Sequence, residues 1–377
     1  MIIDLLLSAR GQELLERLAI EDSLDLALGT RLRREYPADL VAAALAQHEL
    51  RLAARAKFSR AMDMLFTRAG LEQSSAERIG RHRARRFGQI KLVADLCCGI
   101  GGDLVTLPAA LAVDRDELHA RLARYNAAIY QTQVAAVVAD VRDLRLGGVD
   151  AVFIDPARRT ATGRMRTGTS EPPLEWCFEL PVARTAIKAA PGVDLGIVPQ
   201  GWEAEFIADG RDLKEATLWS PSFATVPRRA TVLTDGGEAT LLPDAGPNVP
   251  VAAPGEYLLD PNPAVTRAGL VEELARQVDG WKIDDRIAFI AADHPVTTPF
   301  ARTLRVLDSA PWNEKDFAKR LRAFGIGAAD IRRRGLAGDV EQIRRRLRLE
   351  GPRQGVVVLT RVSDKPWGLI CADPTRN

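Results

Sequence analysis

Cysteine and histidine are both scarce in this 377-residue chain, with four of each. The cysteines, at 97, 98, 177 and 371, lack metal-ligand spacing, and adjacent Cys97 and Cys98 point to different sides of an extended chain. We therefore expect reduced thiols, no disulfide framework, no structural metal and no histidine-based catalysis. Lysine is also rare: 8 of the 52 basic residues, against 44 arginines. Arginine preference suits phosphate and base recognition, but a GC-rich genome produces the same bias, so only clustered arginines count. With a net charge of +2, overall charge points to no partner. No apolar run is long enough to span a bilayer. The opening MIIDLLLSARGQELLERLA carries Asp4 inside its apolar patch and lacks a basic leader and a small-residue cleavage site. A cytoplasmic location is expected.

A hydrophobic content of 46% and a charged content of 27% are those of an ordinary globular protein. The length implies two or three domains. We place an N-terminal helical domain at 1–90, an α/β domain at 91–243, and a linker with a C-terminal domain at 244–377. AKFSRAMDMLFTRAG reads as a helix closed by Gly70. SSAERIGRHRARRF reads as the next, with Ser74 and Glu77 at capping-box spacing. From Leu92 short apolar strands alternate with helical segments, the signature of a doubly wound parallel sheet. The strands predicted are LVADL, LAV, AAVVA, AVFI, LGIV and ATLW, then a hairpin of ATVLT and ATLL around Asp235, Gly236 and Gly237.

The chemistry lies at the strand ends. In DLCCGIGGD, Gly99, Gly101 and Gly102 allow a tight turn and close approach to a ligand at the start of a helix. A dinucleotide fingerprint would need glycine where Leu104 stands, which disfavours a nicotinamide oxidoreductase. Asp95 suits an ammonium group, so the mouth fits an amine with a carboxylate: the methionine part of S-adenosylmethionine. Asp114, 19 residues on, has the spacing of a ribose-binding acid, with Asp116 as a neighbouring alternative. Asp140 is placed to accept from the adenine amino group, with Val141 packing on the ring. The next strand ends in FIDPARR, where Asp155 and Pro156 stand before Arg158 and Arg159.

These segments resemble class I S-adenosylmethionine-dependent methyltransferases of bacteria that carry a C-terminal THUMP-like domain. The resemblance runs through KFSRAMDMLFTRAGLEQSSAERIGRHRARRF, DLCCGIGGD, VDRDE, ADVRD and FIDPARR, then YLLDPNPAV and RRRLRLEG. It implies a Rossmann-like methyltransferase sheet with an N-terminal helical domain and an α+β THUMP-like domain, S-adenosyl-L-methionine as cofactor, and docking of RNA, a tRNA or an rRNA. Amino-group methyltransferases carry at this strand end an acid, two prolines and an aromatic residue. There the acid accepts from the exocyclic amine, and proline removes a competing N–H. Asp155 and Pro156 match, whereas Ala157 and Arg158 replace the second proline and the aromatic.

Several readings stay open. Arg158 and Arg159 hold phosphate or a base edge, or one of them pairs with Asp155. Arg164 and Arg166, in the long loop TATGRMRTGTSEPPLEW, are candidates for phosphate contacts, and Trp202 stacks on a base or simply packs. In GDVEQIRRRLRLEG, Val340, Ile343 and Leu347 share one face, and Arg344, Arg345 and Arg348 lie elsewhere; with IRRRG, 331–335, they form either an RNA surface or a solvated face. The favoured function is methylation of RNA, at a base amino group. The rivals are methylation of a protein or small molecule, and a non-enzymatic RNA-binding protein on a degenerate fold. Oligomeric state is left open.

Overall fold

The computed structural model describes residues 2–20, 26–157, 159–160, 163–164 and 170–373. The chain divides into two compact units, 1–202 with 217–225, and 203–216 with 226–377.

The first unit opens with α1 (Ile2–Leu7), α2 (Ala9–Leu18), α3 (Leu26–Leu32) and α4 (Ala38–Ala54). The apolar faces of these helices bury Leu14, Leu18, Leu32 and Val41 in one core, with Phe58 and Met64. The expected helix over AKFSRAMDMLFTRAG does not form: turns run from 55 to 63 and extended chain to 67, before a short helix, α5 (Arg68–Gln73). Buried polar side chains supply the backbone partners a helix would have given. Asn126 accepts from the Leu65 N–H at 2.9 Å, and Arg51 Nε donates to the Met64 carbonyl at 2.8 Å. Gly70 lies inside α5 rather than closing a helix, where a Cβ would meet Ile100 Cγ2 at 2.5 Å. In α6 (Glu77–Phe87) the capping box is absent. Glu77 instead accepts from the Ser59 N–H at 2.6 Å and from Tyr130 Oη at 2.9 Å.

The strands that follow are β1 (Val93–Leu96), β2 (Ala109–Asp114), β3 (Ala135–Val138), β4 (Ala151–Ile154) and β5 (Thr185–Ala189), with α7 (Glu117–Ile129) after β2 and α8 (Leu174–Phe178) before β5. Their order is β3-β2-β1-β4-β5, and every pair is parallel. LGIV is not a strand. Asp194 accepts from the Gly196 N–H and turns residues 195–197 into a single 3-10 turn, while the fifth strand is TAIKA. The segment after the glycines, 101–107, makes turns rather than the expected helix, closing before Pro108.

The second unit holds β6 (Glu203–Asp209), most of β7 (Asp212–Trp219), β8 (Arg228–Thr234) and β9 (Gly237–Leu241). β8 pairs parallel with β6, and β8 and β9 form the expected hairpin. A second sheet contains β10 (Tyr257–Pro261), β11 (Trp281–Lys282), β12 (Ile290–Ala292), β13 (Ala301–Pro311), β14 (Ile326–Arg333), β15 (Arg353–Val362) and β16 (Lys365–Ala372), in the order β11-β12-β10-β13-β16-β15-β14. Alternation along β15 sends Val356 and Val358 to a core with Leu304, and Val357 and Leu359 to one with Phe317 and Leu347. Phe317 lies on a helix at Glu314–Ala323, and Leu347 on the arginine-rich helix Val340–Leu347, whose Ile343 is also buried.

Candidate active site

Parallel register brings the carboxyl ends of four strands level. Leu96 pairs with Ile154 and with Val113, and Asp114 with Val138. The chain continues from β1 into the glycine loop, while β2 and β4 lie on either side of it, so a crevice opens where the strand order reverses. A cleft of about 650 Å³ occupies this position, within the range of about 300–1,000 Å³ usual for small-molecule sites. Gly99, Gly102, Asp114, Asp140, Val141, Asp155 and Pro156 all line it. So do Gly70, Glu72, Gln73 and Ser74 from α5 and its end. Nothing in the sequence pattern assigns these helical residues to the wall.

The loop geometry requires its glycines. Gly99 and Gly101 have φ of +53° and +81°, and a Cβ on Gly101 would come within 2.9 Å of Ala123 Cα. A Cβ on Gly99 would stand in open space. Asp114 fixes the loop: its Oδ2 accepts from the Gly99 N–H at 2.8 Å and its Oδ1 from the Asp116 N–H at 2.9 Å. Burial pushes the Asp114 carboxyl up, but His119, at 3.6 Å, and the two N–H donors outweigh it and hold the group below its ordinary value. The same contact raises His119. Asp116 instead caps α7 through the Leu118 and His119 N–H groups. Both candidate acids line the cleft, Asp114 bracing the glycine loop and Asp116 the start of α7. Asp140 takes Arg142 in a fork, Nε to Oδ1 at 2.9 Å and Nη2 to Oδ2 at 2.6 Å, which brings its carboxyl down to about 2. Val141, next to it, is 6% exposed.

Beneath the cleft is an ion network that the sequence does not announce. Lys188, in the middle of β5 and 4% exposed, places Nζ 2.6 Å from Asp155 Oδ2 and 3.2 Å from Asp103 Oδ2. Asp103 also pairs with Arg83, which lies 1% exposed with its guanidinium 4.7 Å from the centre of the Phe153 ring. Burial would raise Asp103, but Arg83 and Lys188 bring it to about 2. Asp155 is therefore held from behind by Lys188.

Asp95 lies deeper than the other strand-end acids. It is 0% exposed, is not among the cleft-lining residues, and neither carboxylate oxygen has a hydrogen-bond partner. Burial, then the charges of Asp103 and Asp155, push its carboxyl well above the ordinary range. Trp202 also falls away from the cleft lining and packs edge-on against Phe178, ring centres 4.9 Å apart. Gly201, just before it, turns the chain with φ of +86°. Arg158 and Arg166, with the side chains of Arg159 and Arg164, lie outside the described residues; the backbones of Arg159 and Arg164 pair in a short antiparallel ladder. In α6, Arg81 is exposed and pairs with Glu77, whereas Arg83 is buried and Arg86 lies over the buried Trp219 ring at 4.4 Å.

A parallel sheet in this order, with a glycine loop and strand-end acids around one cleft, defines a nucleotide-type cofactor fold. Comparison gives the class. The chain is 36% identical over 311 residues, 79% of this chain and 85% of the relative, to an uncharacterized S-adenosylmethionine-dependent methyltransferase of Mycobacterium tuberculosis, found in two strains. The chain belongs to this family of S-adenosylmethionine-dependent methyltransferases. Residues 301–373 match the THUMP domain-like family model, and 3–54 match a domain of unknown function. The fold matches a crystal structure of a protein classed among methyltransferases, from Porphyromonas gingivalis W83, with a TM-score of 0.77 at 20% identity, covering 96% of this chain and 98% of that one. The enzyme's cofactor is S-adenosyl-L-methionine, and the cleft suits it. The volume is adequate, the glycine loop leaves an approach at Gly99, and the Asp114 carboxylate keeps lone pairs beyond its two backbone contacts.

Proposed function

We propose that this methyltransferase acts on RNA, a tRNA or an rRNA, at an amino group of a base. The observation that carries the reading is the THUMP-like match over 301–373, a segment in which Arg333, Arg345 and Arg348 are exposed. In this reading Gly99, Gly101, Gly102, Asp114, Asp140 and Val141 hold the cofactor, which supplies a methyl group on a sulfonium. Asp155 accepts from the exocyclic amine and directs its lone pair at the methyl carbon. Pro156 offers no N–H to compete. Lys188 pairs with Asp155 and fixes it in place. Transfer depends chiefly on positioning, which a carboxylate anchored from behind provides. Arg158, Arg159, Arg164 and Arg166 follow this strand end and are assigned to the phosphate backbone of the substrate. Mass spectrometry of modified nucleosides from cells with and without the protein tests the reading. Loss of one N-methylated nucleoside is expected, and an unchanged RNA profile would refute it.

A further inference from the structure

The second unit contains an arginine cluster, partly within 301–373, that lies apart from the cleft lining. Asp260, in the YLLDPNPAV segment, is 2% exposed, and three guanidinium groups converge on it. Arg211 Nη2 is 2.9 Å from Oδ2, Arg332 Nη1 2.6 Å from Oδ2, and Arg334 Nη2 2.9 Å from Oδ1. Arg302 joins through Asp330, which it shares with Arg332, and pairs with Asp373. One bidentate arginine satisfies a carboxylate. Three on Asp260 exceed what holding that group in place requires, and the network sets four guanidinium groups against three carboxylates.

The cluster is also partly open to solvent and rigidly oriented. The side chains of Arg211, Arg332 and Arg334 are 38%, 31% and 30% exposed, although the acid they surround is buried. Arg334 is fixed on both sides, donating to the Ala288 carbonyl at 2.7 Å and lying 4.8 Å from the centre of the Phe289 ring. Arg211 donates to the Asp260 carbonyl at 3.2 Å. Like charges held this close repel, and burial together with the neighbouring arginines lowers the Arg211 pKa. An anion placed on the open side relieves that repulsion without ordering any new side chain.

We infer that Arg211, Arg332 and Arg334, gathered on Asp260, form a binding site for a backbone phosphate of the RNA substrate. The inference rests on the RNA reading above and adds a location to it. Buried Asp260 aligns the guanidinium forks, and a phosphodiester oxygen accepts from their remaining N–H donors. Such a contact is sequence-independent and sensitive to salt.

The full-length protein is titrated onto a fluorescein-labelled, mixed-sequence, single-stranded RNA oligonucleotide at several salt concentrations, with anisotropy as the readout. Arg332→Gln and Arg334→Gln are each expected to weaken binding about three- to tenfold at low salt and to flatten the log–log salt slope by about 0.7, the loss of one phosphate contact. Arg332→Lys keeps the charge and is expected to keep the slope. The two glutamine variants are measured separately, so one that fails to fold by circular dichroism leaves the other to decide. Wild-type binding with unchanged affinity and slope in a folded glutamine variant would overturn the phosphate site and leave the RNA reading standing. Wild-type protein that binds no RNA at low salt would overturn both.

Discussion

Replacing Lys188 by methionine keeps the length and apolar stem of the side chain and deletes one buried cation. In the native protein that cation is shared, 2.6 Å from Asp155 and 3.2 Å from Asp103, and the side chain is 4% exposed. Its loss leaves Asp103 with Arg83 alone and Asp155 without its lysine, both near buried Asp95. Removing one partner of a buried pair costs about 3–5 kcal/mol. Because the Asp155 side chain is 28% exposed and keeps some water, the lower end applies, about 3 kcal/mol. For a unit of this size that lowers Tm by roughly 6–12 °C. The pH dependence has a defined sign. Asp103, held at about 2 in the native protein, contributes stability that is present above its unfolded pKa and lost as pH falls toward 2. Without Lys188 the Asp103 carboxyl loses one of the two cations that hold it down and takes up its proton at higher pH on acidification. The stability gap between variant and wild type should therefore be widest near neutrality and shrink below about pH 5. Thermal unfolding from pH 4 to 8 measures it. A Tm within about 2 °C of wild type at neutral pH, or a gap that ignores pH, would refute the shared-cation account.

Asp114→Ala removes both the cleft carboxylate and the acceptor that fixes the Gly99 N–H, and calorimetry should show S-adenosyl-L-methionine binding weaker by about 1.5–3 kcal/mol. Asp95→Asn should leave cofactor affinity within about twofold, because Asp95 does not line the cleft. Its effect on stability also has a sign: a carboxyl with a raised pKa is most favourable below its unfolded pKa and loses that advantage as pH rises, so the variant should gain on wild type from acid toward neutral pH in thermal unfolding. Gly101→Ala should disrupt the loop, since its Cβ would meet Ala123 Cα at 2.9 Å with φ of +81°, and cofactor affinity should fall at least about tenfold.

Much of the cleft was legible because its signals are local. Glycines follow β1, and acids end β2 and β4, where parallel register must bring them level. What escaped depends on partners distant in the chain. TAIKA was passed over because Lys188 interrupts its apolar run, and local periodicity cannot show that Asp103 and Asp155, 85 and 33 residues away, neutralise it. LGIV has a strand's composition, but Asp194 supplies a local acceptor that favours a turn. Residues 55–67 have a helix's apolar spacing, yet Asn126 and Arg51 satisfy their backbone in another conformation. Asp95 had the right residue type in the right position. Only the structure shows that it lies under the floor of the cleft.

The most direct test of the central claim is transfer of labelled methyl from S-adenosyl-L-methionine in a single turnover at saturating cofactor, using RNA purified from cells lacking the enzyme. The account predicts that wild-type protein labels RNA, and that Asp155→Ala binds the cofactor normally but transfers at least about a hundredfold more slowly, as expected when a positioning contact of roughly 3 kcal/mol is made mainly in the transition state. Label that enters protein or small molecules rather than RNA, or near-normal transfer by Asp155→Ala, would contradict it.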